Sequence, residues 1–378
     1  MLRNESKMKV LFISHESAKN GSSISMLTLV QALQDIYKWE IEVLLPYSST
    51  MEKVLKARDI TYKSLFYYPD FRTIGKRIKW KEIIKETVNF LAVQKLKRRL
   101  KEKKYDYIIS NSSAVDIGAR AAKELNIKHV YYIREFMEED FGFEYRKKIR
   151  MNKLLETSTK VIFISQAIAK KYTSLYKLKS YKVIYNGVNK DDYYIEHHGI
   201  LEQSTLKLIQ IGTLCEAKGT KESVEFIESV RRIVDCHLTL VGNSSKDYFE
   251  ELNTYILKNS LERNITIISY TENILPELEQ ADILLMNSRS EGFGRVTVEG
   301  MISGLLVVGR DAAGTSELIS NQKNGLLFRD KQEFCDCIYD IAQNREKYKT
   351  IAKYGQQSAC KNFQPINMAK EIVRYLDD

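Results

Sequence analysis

Residues 283–286 (ILLM) and 305–308 (LLVV) are short runs without a polar side chain. A strand that is apolar on both faces has to be covered on both, as a central strand is when helices flank a parallel sheet. Between the two runs lie a loop carrying Gly292 and Gly294 and a helical segment at about 295–303, and the second run ends in another turn of small residues. The order is strand, loop, helix, strand, loop. In such units the loops at the carboxyl ends of parallel strands converge on one crevice, and the amides at a helix start form a ready anion site.

Two carboxylates frame the first loop, and their positions give them different work. Glu291 lies just before Gly292, on loop backbone at the mouth of the crevice, whereas Glu299 is fixed in the first turns of the helix. A carboxylate bonded to two vicinal hydroxyls clamps a ribose, with about 1.5–3 kcal/mol for each charge-assisted bond. The glycines leave room for a sugar against bare backbone.

The pattern Glu291, Gly292, Phe293, Gly294, then Glu299 after seven intervening residues, resembles the signature of retaining glycosyltransferases of family 4. That family has the GT-B fold, an α/β architecture of two Rossmann-like doubly wound domains facing a central cleft. The resemblance implies that Glu291 lies beside the transferred sugar and that Glu299 binds the ribose of the nucleotide. The plain alternative is a helix N-terminus whose acids favour the dipole, by about 0.3–1 kcal/mol each. Further motifs in the family's order weigh against it.

A chain of 378 residues fits two domains better than one core. With 44% hydrophobic and 29% charged residues the composition is globular, and four prolines leave no room for Pro-rich linkers. No apolar run approaches the roughly 20 residues of a spanning helix, and the start, MLRNESKMKV, lacks a signal-peptide core, so a cytoplasmic protein is expected. The five cysteines, Cys215, Cys236, Cys335, Cys337 and Cys360, are scattered and odd in number, which predicts reduced and mostly buried thiols.

Residues 9–14 (KVLFIS) predict a first buried strand, followed by the polar turn 15–23 and a helix through Met26, Leu27, Val30 and Leu33. Family members commonly carry a Gly-Gly pair in this turn, against the donor phosphate. Here Gly21, Ser22 and Ser23 stand in its place, and a plain capped turn is the competing reading. Further strands are expected at 41–45, 107–110, 130–133, 161–165 and 183–185. After Val130 the charged stretch Arg134, Glu135, Glu138, Glu139 and Asp140 replaces a His that many members place near the acceptor. His15, Arg134 and Glu135 are accordingly the acceptor-side candidates, against a solvated acidic loop.

Residues 185–189 (YNGVN) resemble the family's hinge, with 190–205 as linker. The expected divisions are an acceptor-side domain over 1–188, a nucleotide-sugar domain over 206–360, and a terminal helix over 364–378 crossing back to the first domain. In the second domain, Gly212, Thr213 and the Lys218-Gly219 pair resemble the family's Gly-Arg-Leu…Lys-Gly turn, with Thr213 where the arginine usually stands. Lys218 suits a diphosphate as a compact charge, and Arg295, four residues before Glu299, is the expected substitute for the missing arginine. Strands at 237–242 and 265–269 bring Asn243 and Tyr270 towards the base. Ala312, Ala313, Gly314, Thr315 and Glu317 resemble the turn over the phosphates, and 332–363 and 366–376 read as helices.

The net charge of +10 is concentrated in 72–104. Phe71, Ile74 and Ile78 fit one helical face, Trp80 follows, and Arg72, Lys76, Arg77 and Lys79 fill the rest, so an interfacial helix on an anionic membrane is expected over 71–104, with a solvated charged face as the plain alternative. No nucleic-acid-binding motif accompanies this charge.

The leading expectation is a retaining hexosyltransferase that moves a sugar from a nucleotide diphosphate sugar to a glycan or lipid-linked acceptor in polysaccharide assembly, peripheral at the inner face of the membrane. The catalytic candidates are Glu291, Lys218 and Arg295, and the donor-binding set is Gly21, Gly212, Thr213, Lys218, Asn243, Tyr270, Glu291, Gly292, Phe293, Gly294, Arg295 and Glu299. No cofactor and no metal are expected, because there is no Asp-x-Asp at a strand end and the cations with the helix amides neutralise the leaving diphosphate. The rivals are a nucleotide-sugar epimerase of the same fold, which releases no nucleotide in response to an acceptor, and a silent binding or scaffold subunit, which does not hydrolyse donor.

Overall fold

The computed structural model describes residues 7–18, 20–196 and 200–378. Residues 1–6 of the first expected domain, Lys19 of the expected turn and 197–199 of the expected linker lie outside this description. The chain divides into two compact units, 1–187 together with 365–378, and 188–364.

The first unit is built on strands β1 (Lys9–Ile13), β2 (Glu40–Leu45), β3 (Thr61–Ser64), β4 (Phe71–Thr73), β5 (Tyr107–Ser110), β6 (Lys128–Ile133), β7 (Phe143–Tyr145), β8 (Lys160–Phe163) and β9 (Tyr181–Val183). Seven of them form a parallel sheet in the order β3-β2-β1-β5-β6-β8-β9. The order runs one way from β1 and the other way from β5, so the two strands flank the point where helices change faces. Val10, Leu11, Phe12 and Ile13 are wholly buried, as a strand covered on both sides requires. Helix Gly21–Tyr37 packs on the terminal helix Pro365–Asp377.

The second unit has β10 (Leu206–Ile211), β11 (Cys236–Val241), β12 (Ile265–Ile268), β13 (Ile283–Met286), β14 (Leu306–Arg310) and β15 (Leu326–Phe328). They pair in parallel as β12-β11-β10-β13-β14-β15, with the reversal between β10 and β13. Leu238, Leu285, Leu306 and Val308 join Phe226, Phe328 and Phe334 in its core.

Three expectations need correction. Phe71 does not open a helix: it belongs to β4, which pairs antiparallel with β7, and its ring stacks on Phe143 at 4.4 Å. The helix begins only at Lys79 and runs to Glu102. Spacing alone put Phe71 on that helix, but its partner is far off in sequence, so tertiary pairing overrides the local period. The stretch 332–363 is two helices, Lys331–Gln343 and Arg345–Asn362, separated at Asn344, whose side chain bonds back to Asp340. Of the five free cysteines only Cys236 is buried. Burial raises its thiol pKa, as it does for the half-buried Cys335, Cys337 and Cys360.

Beneath the β4–β7 pair runs a network of arginines and carboxylates. Asp70 and Arg146 are fully buried and meet at 3.3 Å; Arg150 reaches Asp70 (3.3 Å), Asp116 (2.8 Å) and Glu86 (2.6 Å). Arg120 adds contacts to Glu86 and Asp116, and Arg72 pairs with Glu144 at 2.9 Å. Burial, then the nearby Asp116, push the Asp70 carboxyl up to about 7 against the pull of Arg150 and Arg146. Removing one partner from such a cluster strands a buried charge. Arg146→Met is therefore expected to destabilise the first unit by about 3–5 kcal/mol. Both tryptophans, buried Trp39 and exposed Trp80, lie in that unit, so urea unfolding followed by tryptophan emission reads it directly. A loss below about 1 kcal/mol refutes the assignment of stability to the network.

Candidate active site

In the second unit the strand order reverses between β10 and β13, and their carboxyl ends carry the residues singled out in the sequence. Gln210, Gly212, Thr213, Lys218, Asn287 and Ser288 line a small recess there. Asn287 fixes its floor: Nδ2 donates to Gly219 O (3.1 Å) and Ser223 Oγ (3.0 Å), while Oδ1 accepts from Arg310 Nε (3.0 Å). Arg310 is in turn paired with Glu222 at 2.6 Å.

Lys218 ends the short 3-10 turn Glu216–Lys218, and its Nζ donates to Glu291 Oε2 at 2.6 Å. Turn and loop are thus joined by one ion pair, with Glu291 mostly buried and Lys218 a third exposed. The loop is held from the other side by Gly314, whose amide donates to Glu291 O (2.8 Å). A Cβ at Gly314 would come within 2.7–2.9 Å of the backbone at Glu291, Gly292 and Phe293. The preceding Ala313 takes φ +46°, a left-handed conformation that costs a residue with a Cβ about 1–2 kcal/mol. The turn after β14 is therefore wedged against the loop after β13.

Helix Arg295–Ile302 starts at Gly294. Within it Arg295 Nε donates to Glu299 Oε1 at 2.6 Å, and both side chains are largely buried. The Tyr193 hydroxyl accepts from Arg295 and donates to Glu299; burial first, then the Glu299 charge, push its pKa up to about 12. Burial lowers the Arg295 pKa, but Glu299 and Tyr193 outweigh it and the net shift is upward. Segment 193–195 is itself strapped down: Ser303 Oγ donates to Tyr193 O (2.8 Å), and Gln356 Nε2 donates to the carbonyls of Ile195 and Ile302. Asn243 and Tyr270 meet at the ends of β11 and β12, where the Tyr270 amide donates to Asn243 Oδ1 at 3.3 Å.

In the first unit the corresponding reversal lies between β1 and β5. His15 follows β1 and its Nε2 lies 3.0 Å from Glu16 Oε1. Burial lowers the imidazole pKa, but Glu16, with Glu135 and the Asn111 backbone, outweighs it and the net shift is upward. Asn20 and Ser23 form a reciprocal cap on helix Gly21–Tyr37, so the Ser23 hydroxyl is used within the turn; Ser22 Oγ is buried without a partner among the described residues. After β6, Arg134 and Glu135 turn inward while Glu138 and Glu139 stay exposed. Arg134 lies over the Tyr132 ring and donates to Asn111 and Asn186, each at 2.7 Å. Glu135 accepts from Ser112 Oγ, Ser113 N, Ser113 Oγ and the Arg134 amide.

Asn287, Gln210 and Tyr193 belong to the site without having been among the expected residues. Asn287 was within reach, since it directly follows the ILLM run at a strand's carboxyl end. Tyr193 gave no signal, because only the fold of the linker carries it to Glu299. Among the described residues no cluster of three or more His, Cys, Asp or Glu could hold a metal ion, and no helix is long and apolar enough to cross a membrane.

Two family models cover most of the chain: "Glycosyltransferase Family 4" matches residues 19–192 and "Glycosyl transferases group 1" matches residues 196–358. An uncharacterized glycosyltransferase of Methanocaldococcus jannaschii is 24% identical over 64% of this chain and 66% of its own length. The N-acetyl-alpha-D-glucosaminyl L-malate synthase of Bacillus anthracis is 22% identical over 55% of this chain and 57% of its own. The matches thus span just under two thirds, or less, of these relatives. Among solved structures, Anabaena HepE in complex with UDP and glucose superposes with a TM-score of 0.81 at 22% identity, over 98% of this chain and 99% of that one. This likeness establishes the GT-B fold.

The geometry separates glycines that leave room for a side chain from those that do not. Gly219 has φ +64°, and a Cβ there would lie 2.3 Å from Asn287 O, whereas a Cβ at Gly21 meets nothing within 4 Å. Gly219→Ala is expected to cost more than the about 1–2 kcal/mol of its left-handed backbone and to lower the melting temperature. Gly21→Ala, in a helix, is expected to stabilise by up to about 1 kcal/mol. Scanning calorimetry of the two variants checks both; equal shifts refute the distinction.

Proposed function

We propose that this chain, which belongs to the glycosyltransferases described by the group 1 and family 4 models, moves a hexose from a nucleotide diphosphate sugar to a lipid-linked glycan precursor, with retention at the anomeric carbon. The observation that carries the proposal is the Lys218–Glu291 pair at the reversal point between β10 and β13, with Glu299 on the helix that follows the Glu291 loop. Such a crevice outside the carboxyl ends of parallel strands is where ligands bind in open α/β sheets. The UDP in the HepE complex supports a nucleoside diphosphate as the leaving group.

The residues divide the work by position. Glu299 takes the ribose hydroxyls, with Arg295 and Tyr193 holding its carboxylate in place. That pairing engages the Nε edge of Arg295, and the charge of its guanidinium adds to that of Lys218 at the diphosphate. Lys218 meets the diphosphate, leaving Glu291 as the donor arrives, and Glu291 then faces the transferred sugar. The acceptor oxygen bonds to the anomeric carbon as the bond to the phosphate oxygen breaks, and the acceptor proton passes to the departing phosphate. The Lys218 charge and the amides that begin helix Arg295–Ile302 stabilise the negative charge that grows on the leaving group. Gly212 and Thr213 line the phosphate recess, and Asn243 and Tyr270 lie towards the base.

Three measurements test this. Glu299→Gln and Tyr193→Phe are each expected to weaken nucleoside diphosphate binding by about tenfold, as loss of one charge-assisted bond does. Glu291→Ala is expected to leave that affinity within about threefold but to slow transfer at least about a hundredfold. Equal loss of nucleotide affinity across these variants overturns the division of roles. Excess EDTA is expected to leave transfer unchanged, because cations of the chain carry the leaving-group charge; loss with EDTA that manganese restores overturns this part. Nuclear magnetic resonance of the product, read for the anomeric configuration, decides retention.

A further inference from the structure

The helix Lys79–Glu102 is apolar on the side it turns to solvent as well as on the side it buries. Asn89, Ala92, Val93, Leu96 and Leu100 face the core. Across the helix, Trp80 (60% exposed), Ile83 (67%), Ile84, Phe90 and Leu91 face outward, and Ile74 and Ile78 are exposed in the turn that leads into it. Single exposed apolar residues are common, but a contiguous run of this kind marks a surface that something covers.

The buried network extends this face with residues distant in sequence. Arg150 pairs with Glu86 at 2.6 Å, Arg146 approaches Glu82 at 3.9 Å, and β7 pairs with β4, with the Ile74 amide donating to Gly142 O. These contacts tie the start of helix Lys148–Thr157 to the start of helix Lys79–Glu102. Lys147, Lys148 and Ile149 follow directly, all exposed, with Ile149 at 88%. The same network removes the negative charge. Glu82 and Glu86 are turned inward onto arginines, while Lys76, Arg77, Lys79, Lys81, Lys147 and Lys148 remain at the surface.

We infer that the chain docks on an anionic bilayer through this composite face, formed by the turn 74–78, the outer side of the helix from Trp80 to Leu91, and residues 147–149. The charge pattern selects the occupant. Apolar side chains ringed by lysine and arginine match an acyl boundary beneath anionic headgroups. A second copy of the chain would set these cations against themselves, and nucleic acid would leave Ile83 and Ile149 uncovered. The docking needs neither donor nor acceptor, so it stands or falls apart from the transferase reading.

The test uses the full chain with vesicles of phosphatidylcholine, with and without phosphatidylglycerol. Co-sedimentation is expected with the anionic vesicles and much less with the neutral ones, and it weakens as salt rises. Tryptophan emission is expected to shift to the blue, a change only Trp80 can supply because Trp39 is already buried. Lys79→Glu and Lys148→Glu should each lower partitioning by roughly fivefold or more. Ile83→Asp and Ile149→Asp should each lower it by about tenfold or more, with nucleotide affinity and unfolding midpoint unchanged. Equal binding to neutral and anionic vesicles overturns the inference, as does an Ile149→Asp variant that binds like the parent. A concentration-dependent dimer that Ile83→Asp dissolves, with no vesicle binding, assigns the face to a second copy instead.

Discussion

Covering a parallel sheet on both faces is the constraint that each unit obeys before any other. It requires strands with no polar side, crossover helices on alternate faces, and a place where the crossovers change direction. At that place neither neighbouring loop lies over the strand ends, so backbone amides and short side chains there have no partner from the sheet itself. In the second unit the gap falls between β10 and β13, with Asn287 bonded to Gly219 O at its floor and Lys218 among its lining residues. The close approach of Gly219 to Asn287 follows from the packing of two strand-end turns side by side.

The charged groups on the loops and helices at that end of the sheet neutralise one another. Lys218 is matched by Glu291, Arg295 by Glu299, and Arg310 by Glu222. A lone ion in so enclosed a place would cost several kcal/mol, so pairing is how the fold keeps these residues there at all.

Much of the fold that depends on burial could be read from the chain, although the short buried strand β15 was not. The runs at 107–110 and 283–286 are strands over those same residues, and the first glutamate, the glycines and the second glutamate lie on the loop and helix expected from them. Strands whose sequence carries no such mark escaped: β3 (TYKS) is polar and at an edge, and β4 and β7 are three residues each, defined only by one another. The misreading of Phe71 has the same root, since an aromatic at that spacing fits a helix until Phe143 is brought against it. In the site, residues on the glycine-rich loop were legible because chemistry and spacing coincide there. Tyr193 was not, because its place beside Glu299 is made by a linker held down through Ser303 and Gln356.

The arginine–carboxylate cluster under β4 and β7 separates two demands on one helix. Helix Lys79–Glu102 is tied into the fold through its inner residues, from Glu82 and Glu86 on the arginines to Val93 and Leu96 in the core, and through Arg99 on the buried Glu42. The outer residues from Trp80 to Leu91 are exposed and take no part in that core. Their identity can drift, or be exchanged by design, at little cost in stability, which makes this face the part of the molecule where a new address can be written while the unit that carries the candidate site is left as it is.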